Sequence, residues 1–407
     1  MHLFLNGLAA SAGGGLTYLR NVIPHLSSRT DLRTTVAINS DLRSEFGAPR
    51  AISFLGLNVP VSALRRFCWE QMMLPGIIRS TRAAVLVSAG NCALRNSPVP
   101  QILLSRNSLY LSKNFYHDLR ARGEHAMRVE TRAKASLARR SVKWADCTVA
   151  PSESFARELR EWTGRDIQCI YHGFDHESFF GDHSALPTEV QAKLNAAADS
   201  FRLLFVSHYN YYRNFETLFR ALPLLRNRFG KNVKLLLTCR LRTGENPGSY
   251  CTNTAADLIR KLHISDMVVE LGAVPYSQLH HVYKACNAYV TPAYAESFAH
   301  PLVEAMASGL PIVASETPVH REICQEAAVY FPPFSPEILA DKVAGMIASP
   351  QIADGLSHGG RLRSRNFSWG KHVTELVALA EGLLSRTSPT SQELATGMAQ
   401  VASGTCY

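Results

Sequence analysis

The chain has 407 residues, 46% of them hydrophobic and 19% charged, which is enough apolar material to bury large cores and excludes disorder or a small disulfide scaffold. Two domains are the expected count at that length. Lys and Arg exceed Asp and Glu by 43 to 33, and the excess is one-sided: residues 1–180 hold 23 basic against 14 acidic, the remainder 20 against 19. A field of that shape draws in an anionic partner, whether lipid headgroups, nucleic acid or a phosphorylated substrate.

Short apolar runs read as strands at residues 2–7, 34–39, 84–89, 101–106, 146–150 and 168–172. A second series follows at 202–208, 233–238, 267–271, 288–291 and 311–315. Amphipathic stretches such as 16–27, 216–227 and 255–262 fall between them. Strands that alternate with helices and are apolar throughout build parallel sheets covered on both faces. Two series predict two Rossmann-like α/β domains, 1–180 and 201–368, joined by a polar linker at 181–200. A last amphipathic helix is expected at 369–386, and the Ser/Thr-rich stretch 387–407 as a flexible tail.

The first run breaks at Asn6 and Gly7 and lacks a basic start, so a strand entering a glycine turn is expected there rather than a signal peptide. No uncharged apolar run approaches the roughly 20 residues of a membrane span. The 9 cysteines contain no C-x2-C pair and are expected as reduced thiols, not as bridges or a zinc site.

Open α/β sheets bind ligands beyond the carboxyl ends of their strands, so the loops there carry the candidate chemistry. Gly13-Gly14-Gly15 follows the first strand and precedes a helix, where glycine lets backbone approach a ligand and the helix start offers N–H groups to an anion. A tight turn is the alternative. Glu296-Ser297-Phe298-Ala299-His300-Pro301 follows the run 288–291; Pro301 and Gly309 bracket a helix predicted over 301–308, with Glu304 one turn into it. Two carboxylates beside an anion-binding helix end suit a ligand with both hydroxyls and phosphate. Glu304 as an ordinary exposed helix residue is the competing reading.

The Glu296-x7-Glu304 element, set in ESFAHPLVEAMASGLPIVAS, resembles the donor-binding signature of the family 4 retaining glycosyltransferases of GT-B fold. The likeness extends to LGAVPYSQLHHVYKACNAYVTP upstream, ETPVHREI downstream, the glycine loop, and HGFD at 172–175, and is more specific in the C-terminal half. The resemblance implies two Rossmann-like domains, the C-terminal one holding a nucleotide-diphosphate sugar, with the last helix crossing back to the first domain. It implies that Glu296 orients the donor hexose, that Glu304 binds ribose hydroxyls, and that backbone at Ser297, Phe298 and Ala299, with Gly14 and Gly15, contacts the donor. It places Arg213 and His208 on the diphosphate. His208 departs from the Arg usual there, and Arg106, with Asn107 on the sugar or acceptor side, departs from the usual His. No metal is implied and no cofactor beyond the donor substrate.

Residues 118–143 hold 8 basic against 3 acidic residues, including Arg128, Arg132, Arg139 and Arg140. A solvated helix face and contact with an anionic membrane are the open readings; nucleic acid is not expected, since no aromatic stacking platform accompanies the charges. His172-x3-His176 and His280-His281 lack a third ligand, so metal is not expected. The expected activity is hexosyl transfer, with retention, to a hydroxyl of a glycan or lipid-linked acceptor in surface polysaccharide synthesis. The expected location is the cytoplasm, peripheral on the inner face of the membrane where the basic segment makes contact. A GT-B sugar-nucleotide epimerase and a non-catalytic sugar-nucleotide-binding protein are the alternatives.

Overall fold

The computed structural model describes residues 1–10, 14–47, 49–229, 232–248 and 250–387. Gly13 and the expected tail from 388 onward lie outside the described residues. The chain divides into two compact units, one formed by residues 1–105, 137–149 and those from 370, the other by 106–136 and 150–369.

Strand-helix alternation yields two parallel sheets, as the apolar runs predicted. The first contains β1 (His2–Asn6), β2 (Arg33–Asn39), β3 (Ile52–Leu57), β4 (Val85–Ser88), β5 (Gln101–Leu104), β6 (Cys147–Ala150) and β7 (Gln168–Cys169), in the order β3-β2-β1-β4-β5-β6-β7. The second contains β8 (Phe201–Phe205), β9 (Val233–Leu237), β10 (Val268–Glu270), β11 (Ala288–Thr291), β12 (Ile312–Ser315) and β13 (Ala328–Phe331), ordered β10-β9-β8-β11-β12-β13. Leu5 sits opposite Val36 and Val87, and Tyr289 opposite Leu204 and Ile312, all fully apolar neighbours. The strand order reverses between β1 and β4 in one sheet and between β8 and β11 in the other, so each sheet has one switch point where its loops diverge.

The core of the second unit packs Phe205, Phe215, Phe219, Leu235, Val290 and Phe331, all fully buried or nearly so. In the first unit Phe4, Ala37 and Leu86 of the sheet meet Leu74 and Ile78 of the helix Ala63–Thr81. The helix Trp369–Thr387 is nineteen residues long. Its His372 ring accepts or donates a hydrogen bond with the Tyr18 hydroxyl at 3.0 Å, which ties it to the helix Gly14–Ser27 of the same unit.

Several elements differ from expectation. β3 and β13 are edge strands the pattern did not reveal. The strand expected over 101–106 ends at Leu104 and that over 168–172 at Cys169, each followed by one more backbone bond, from Ser105 to Val149 and from Ile170 to Ala150. The stretch 181–200 is no bare linker, because Thr188–Ala196 forms a helix that buries Val190 and Leu194. The basic segment is two helices, Lys113–Ala121 and His125–Trp144, separated at Gly123 with φ +75°. The eight described cysteines are thiols outside any disulfide; Cys239 and Cys324 are buried, Cys147 and Cys169 half-buried and Cys68 exposed.

Candidate active site

Arg213 and Glu296 come from loops that leave the carboxyl ends of β8 and β11, the adjacent strands at the switch point of the second sheet. Arg213 closes a short 3₁₀ turn, Tyr211–Arg213, after which Asn214 adopts the left-handed conformation at φ +55°. Asn214 then donates from Nδ2 to the Pro292 carbonyl at 3.2 Å and accepts from the Thr217 hydroxyl at 2.9 Å. Those bonds fasten the β8 loop to the β11 loop. Across the join the Arg213 guanidinium pairs directly with a Glu296 carboxylate oxygen, both side chains being largely buried.

Beyond Glu296 the chain turns at Ala299 in the left-handed region, φ +65° and ψ 62°, to start the helix His300–Ala307. A non-glycine residue there costs roughly 1–2 kcal/mol and marks a backbone shaped for something other than regular structure. Among the described residues no protein acceptor takes the N–H of Phe298 or Ala299. The Ser297 carbonyl accepts from the Ser152 hydroxyl at 2.8 Å. Ser152 caps the helix Glu153–Thr163, and the Glu322 carboxylate accepts from the Glu153 and Ser154 N–H groups at 2.7 and 2.6 Å. That helix end is therefore already neutralised by protein.

Glu304 is not an exposed helix residue. It is 4% exposed and accepts from the Tyr283 hydroxyl at 2.9 Å and from Tyr276. Burial lifts its pKa to about 7 against the opposing pull of those tyrosine bonds. His208 lies on the exposed surface after β8. Desolvation by the surrounding protein and then the Arg213 charge lower its pKa. Arg106 and Asn107 are half-buried just past β5, where Asn107 caps the turn Ser108–Tyr110 by accepting from the Leu109 N–H at 3.1 Å. Gly14 and Gly15 sit at the start of the helix Gly14–Ser27 in the first unit. A Cβ on Gly15 would stand 3.1 Å from the Ala10 backbone, whereas one on Gly14 meets nothing.

Arg132, Arg139 and Arg140 are exposed on the helix His125–Trp144 and Arg128 is half-buried there. Arg122 is withdrawn from that charged face by ion pairs with Asp118 at 2.7 Å and Glu216 at 2.9 Å. Among the described residues no cluster of three or more His, Cys, Asp or Glu has the arrangement of a metal site.

Glu296 lines a cavity of about 680 Å³ together with Lys113, Glu158, Trp162, Glu316 and Pro333. Beside the Phe298 turn the His172 ring lies 5.1 Å from His300 and 5.4 Å from Phe298, and His300 stacks on Trp369 at 5.9 Å. Gly173 is the residue that makes this possible, since a Cβ there would fall 2.0 Å from the Trp369 backbone nitrogen. Sequence reasoning noted the motif HGFD but not this aromatic stack, nor Ser152, Glu322, Tyr276 and Tyr283. Ser152 was open to discovery as a serine directly before a helix; the others depend on chain-distant contacts.

Residues 188–363 match the family described as Glycosyl transferases group 1. The D-inositol 3-phosphate glycosyltransferase of Salinispora arenicola is 24% identical over 280 residues, covering 66% of this chain and 62% of that protein. The chain thus spans less than two thirds of such relatives. Sucrose-phosphate synthase from Thermosynechococcus elongatus is similar in fold, with a TM-score of 0.76 at 19% identity over 95% of this chain and 100% of the other. Anabaena HepE in complex with UDP-glucose gives a TM-score of 0.68 at 17% identity over 94% and 100%. Residues 188–363, which hold Arg213, Glu296 and Glu304, thus match the model of the group 1 glycosyltransferases, in a chain of GT-B fold.

Proposed function

We propose that the protein transfers a hexosyl group, with retention and without a metal ion, from a nucleotide-diphosphate sugar to a hydroxyl of a glycan or lipid-linked acceptor. The observation that carries this reading is the Arg213–Glu296 pair at the β8/β11 switch point, next to a turn whose Phe298 and Ala299 N–H groups have no acceptor among the described residues. Glu296 accepts from donor sugar hydroxyls, and Arg213 and the N–H groups of Phe298 and Ala299 stabilise the leaving diphosphate. Glu304 accepts from the ribose. The acceptor oxygen bonds to the anomeric carbon as the carbon–oxygen bond to diphosphate breaks, on the same face, and the acceptor proton passes to the departing phosphate oxygen. HepE, crystallised with UDP-glucose, supports a uridine donor.

The cavity beside Glu296 is where we place the acceptor's reacting end. Its lining has four carboxylates, Glu158, Glu161, Glu296 and Glu316, against one lysine, Lys113. That charge favours a neutral hydroxyl-bearing ring over a phosphate. A phosphorylated polyol acceptor is the second reading, supported by the curated relatives' name. The test is release of nucleoside diphosphate from UDP-glucose with neutral and phosphorylated polyols, in chelator, with the product anomer read by NMR. No release with either acceptor, or an inverted anomer, would refute the proposal.

A further inference from the structure

The helix Ala63–Thr81 has two unlike faces. Glu70, Leu74 and Ile78 point inward, with Glu70 held by the Asn6 side-chain amide at 3.0 Å. On the outside Leu64, Cys68 and Met72 follow at four-residue spacing and are exposed, Leu64 by 68% and Met72 by 72%. Val61 just before the helix is 95% exposed and Met73 is 49% exposed. Four of the ten large apolar side chains exposed among the described residues thus lie within residues 61–73.

The same surface is basic. Arg65, Arg79 and Arg82 are exposed, and among the described residues no carboxylate pairs with them; Arg66 is spent on Glu70. Phe67 stacks on Trp144 with ring centroids 6.4 Å apart, which brings the last turns of the helix His125–Trp144 alongside, with exposed Arg139, Arg140 and Lys143. By contrast, the outer face of that second helix carries one large exposed apolar residue, Val129.

We propose that the outer face of the helix Ala63–Thr81 is an anionic-membrane docking surface, with Val61, Leu64 and Met72 entering the headgroup layer and Arg65, Arg79, Arg82 and Arg140 meeting lipid phosphates. An apolar stripe flanked by unpaired arginines suits an interface that is oily below and negative above. A soluble protein partner would have to supply both an apolar patch and a ring of carboxylates. The proposal specifies the lipid side of the lipid-linked acceptor reading and does not depend on which sugar is transferred.

The test is cosedimentation of the full chain with vesicles of phosphatidylcholine alone, or of equal parts phosphatidylcholine and phosphatidylglycerol, at low and high salt. Wild type should bind the mixed vesicles, and high salt should weaken that binding. Leu64→Glu with Met72→Glu should weaken it about tenfold or more, while Arg128→Ala with Arg132→Ala changes it little. Both replaced residues of the first variant are exposed, and an unchanged thermal shift with UDP-glucose shows that its fold and donor site are intact; failure of membrane docking is then distinct from failure of the transfer reading. Binding by the Leu64/Met72 variant equal to wild type, no binding of mixed vesicles, or equal binding to neutral ones overturns the proposal. So does sedimentation showing a wild-type dimer that this variant dissolves, which would assign the face to a second copy.

Discussion

Arg213 and Glu296 stand 83 residues apart in the chain and meet in an ion pair because β8 and β11 are neighbours at the point where the sheet order reverses. On the proposed reading, the pair sets a guanidinium beside the carboxylate that faces the donor. On that reading Glu296 alone would repel a diphosphate donor, and Arg213 alone would hold it without orienting the sugar.

Removing the cation should therefore be costly. Arg213→Ala is expected to weaken sugar-nucleotide binding by about 1.5–3 kcal/mol, the scale of a hydrogen bond to a charged group. Arg213→Lys should recover part of that, since a point charge replaces a planar fork. Calorimetric titration of UDP-glucose reads both, and equal affinity in Arg213→Ala would remove Arg213 from the donor site.

Glu304 and His320 should pull the stability curve in opposite directions in acid. The pKa of Glu304 is raised by burial to about 7, so its favourable contribution is complete below pH 4.5 and is lost as pH rises through 7. His320, fully buried with Nδ1 2.8 Å from the Ser315 carbonyl, is lowered by burial to about 4, so its contribution is complete above 6.5 and is lost as pH falls through 4. Each is about 3 kcal/mol in size and the two oppose one another between pH 4.5 and 6.5. Glu304→Gln should therefore make unfolding by urea steeply acid-sensitive across that window. A Glu304→Gln curve parallel to wild type would show that Glu304 is not buried neutral.

His208 should make donor affinity pH-dependent. Desolvation and then Arg213 lower its pKa in the free protein, and a bound diphosphate raises it. The attraction is complete below the free-protein pKa and fades as pH rises through that of the complex. Donor affinity should decline toward alkaline pH, His208→Arg should flatten the decline, and His208→Ala should abolish it. Dissociation constants of intact sugar nucleotide from pH 5.5 to 9 decide this: parallel curves for wild type and His208→Ala make His208 a bystander.

Gly173 has no room for a side chain, because the Ser368–Trp369 backbone occupies the place of its Cβ. Gly173→Ala should destabilise the protein by about 1–3 kcal/mol or more, as overpacking against backbone does. A melting temperature equal to wild type would show that the Trp369 segment moves aside freely.

Much of this was legible before the structure. Parallel strands buried on both faces read as continuous apolar runs, so β1, β8 and β11 and the loops after them were plain, while Arg213 and Ala299 were singled out by the family resemblance. The edge strands were not, since Ile52–Leu57 is interrupted by Gly56 and Ala328–Phe331 follows a polar helix. Glu304 looked the same in sequence whether exposed or buried. Its state is set by Tyr276 and Tyr283, which reach it from elements more than twenty residues upstream. The charge count of the basic segment hid that Arg122 spends its charge on Asp118 and on Glu216, 94 residues away.

On the proposed reading Glu296 serves the reaction rather than the fold. Glu296→Gln keeps the shape and the hydrogen-bond acceptor but removes the charge. It should bind nucleoside diphosphate about as tightly as wild type, yet release it from sugar nucleotide and acceptor at least about 10²-fold more slowly. Measured side by side, retained binding with lost turnover is the predicted result; turnover equal to wild type would contradict the account.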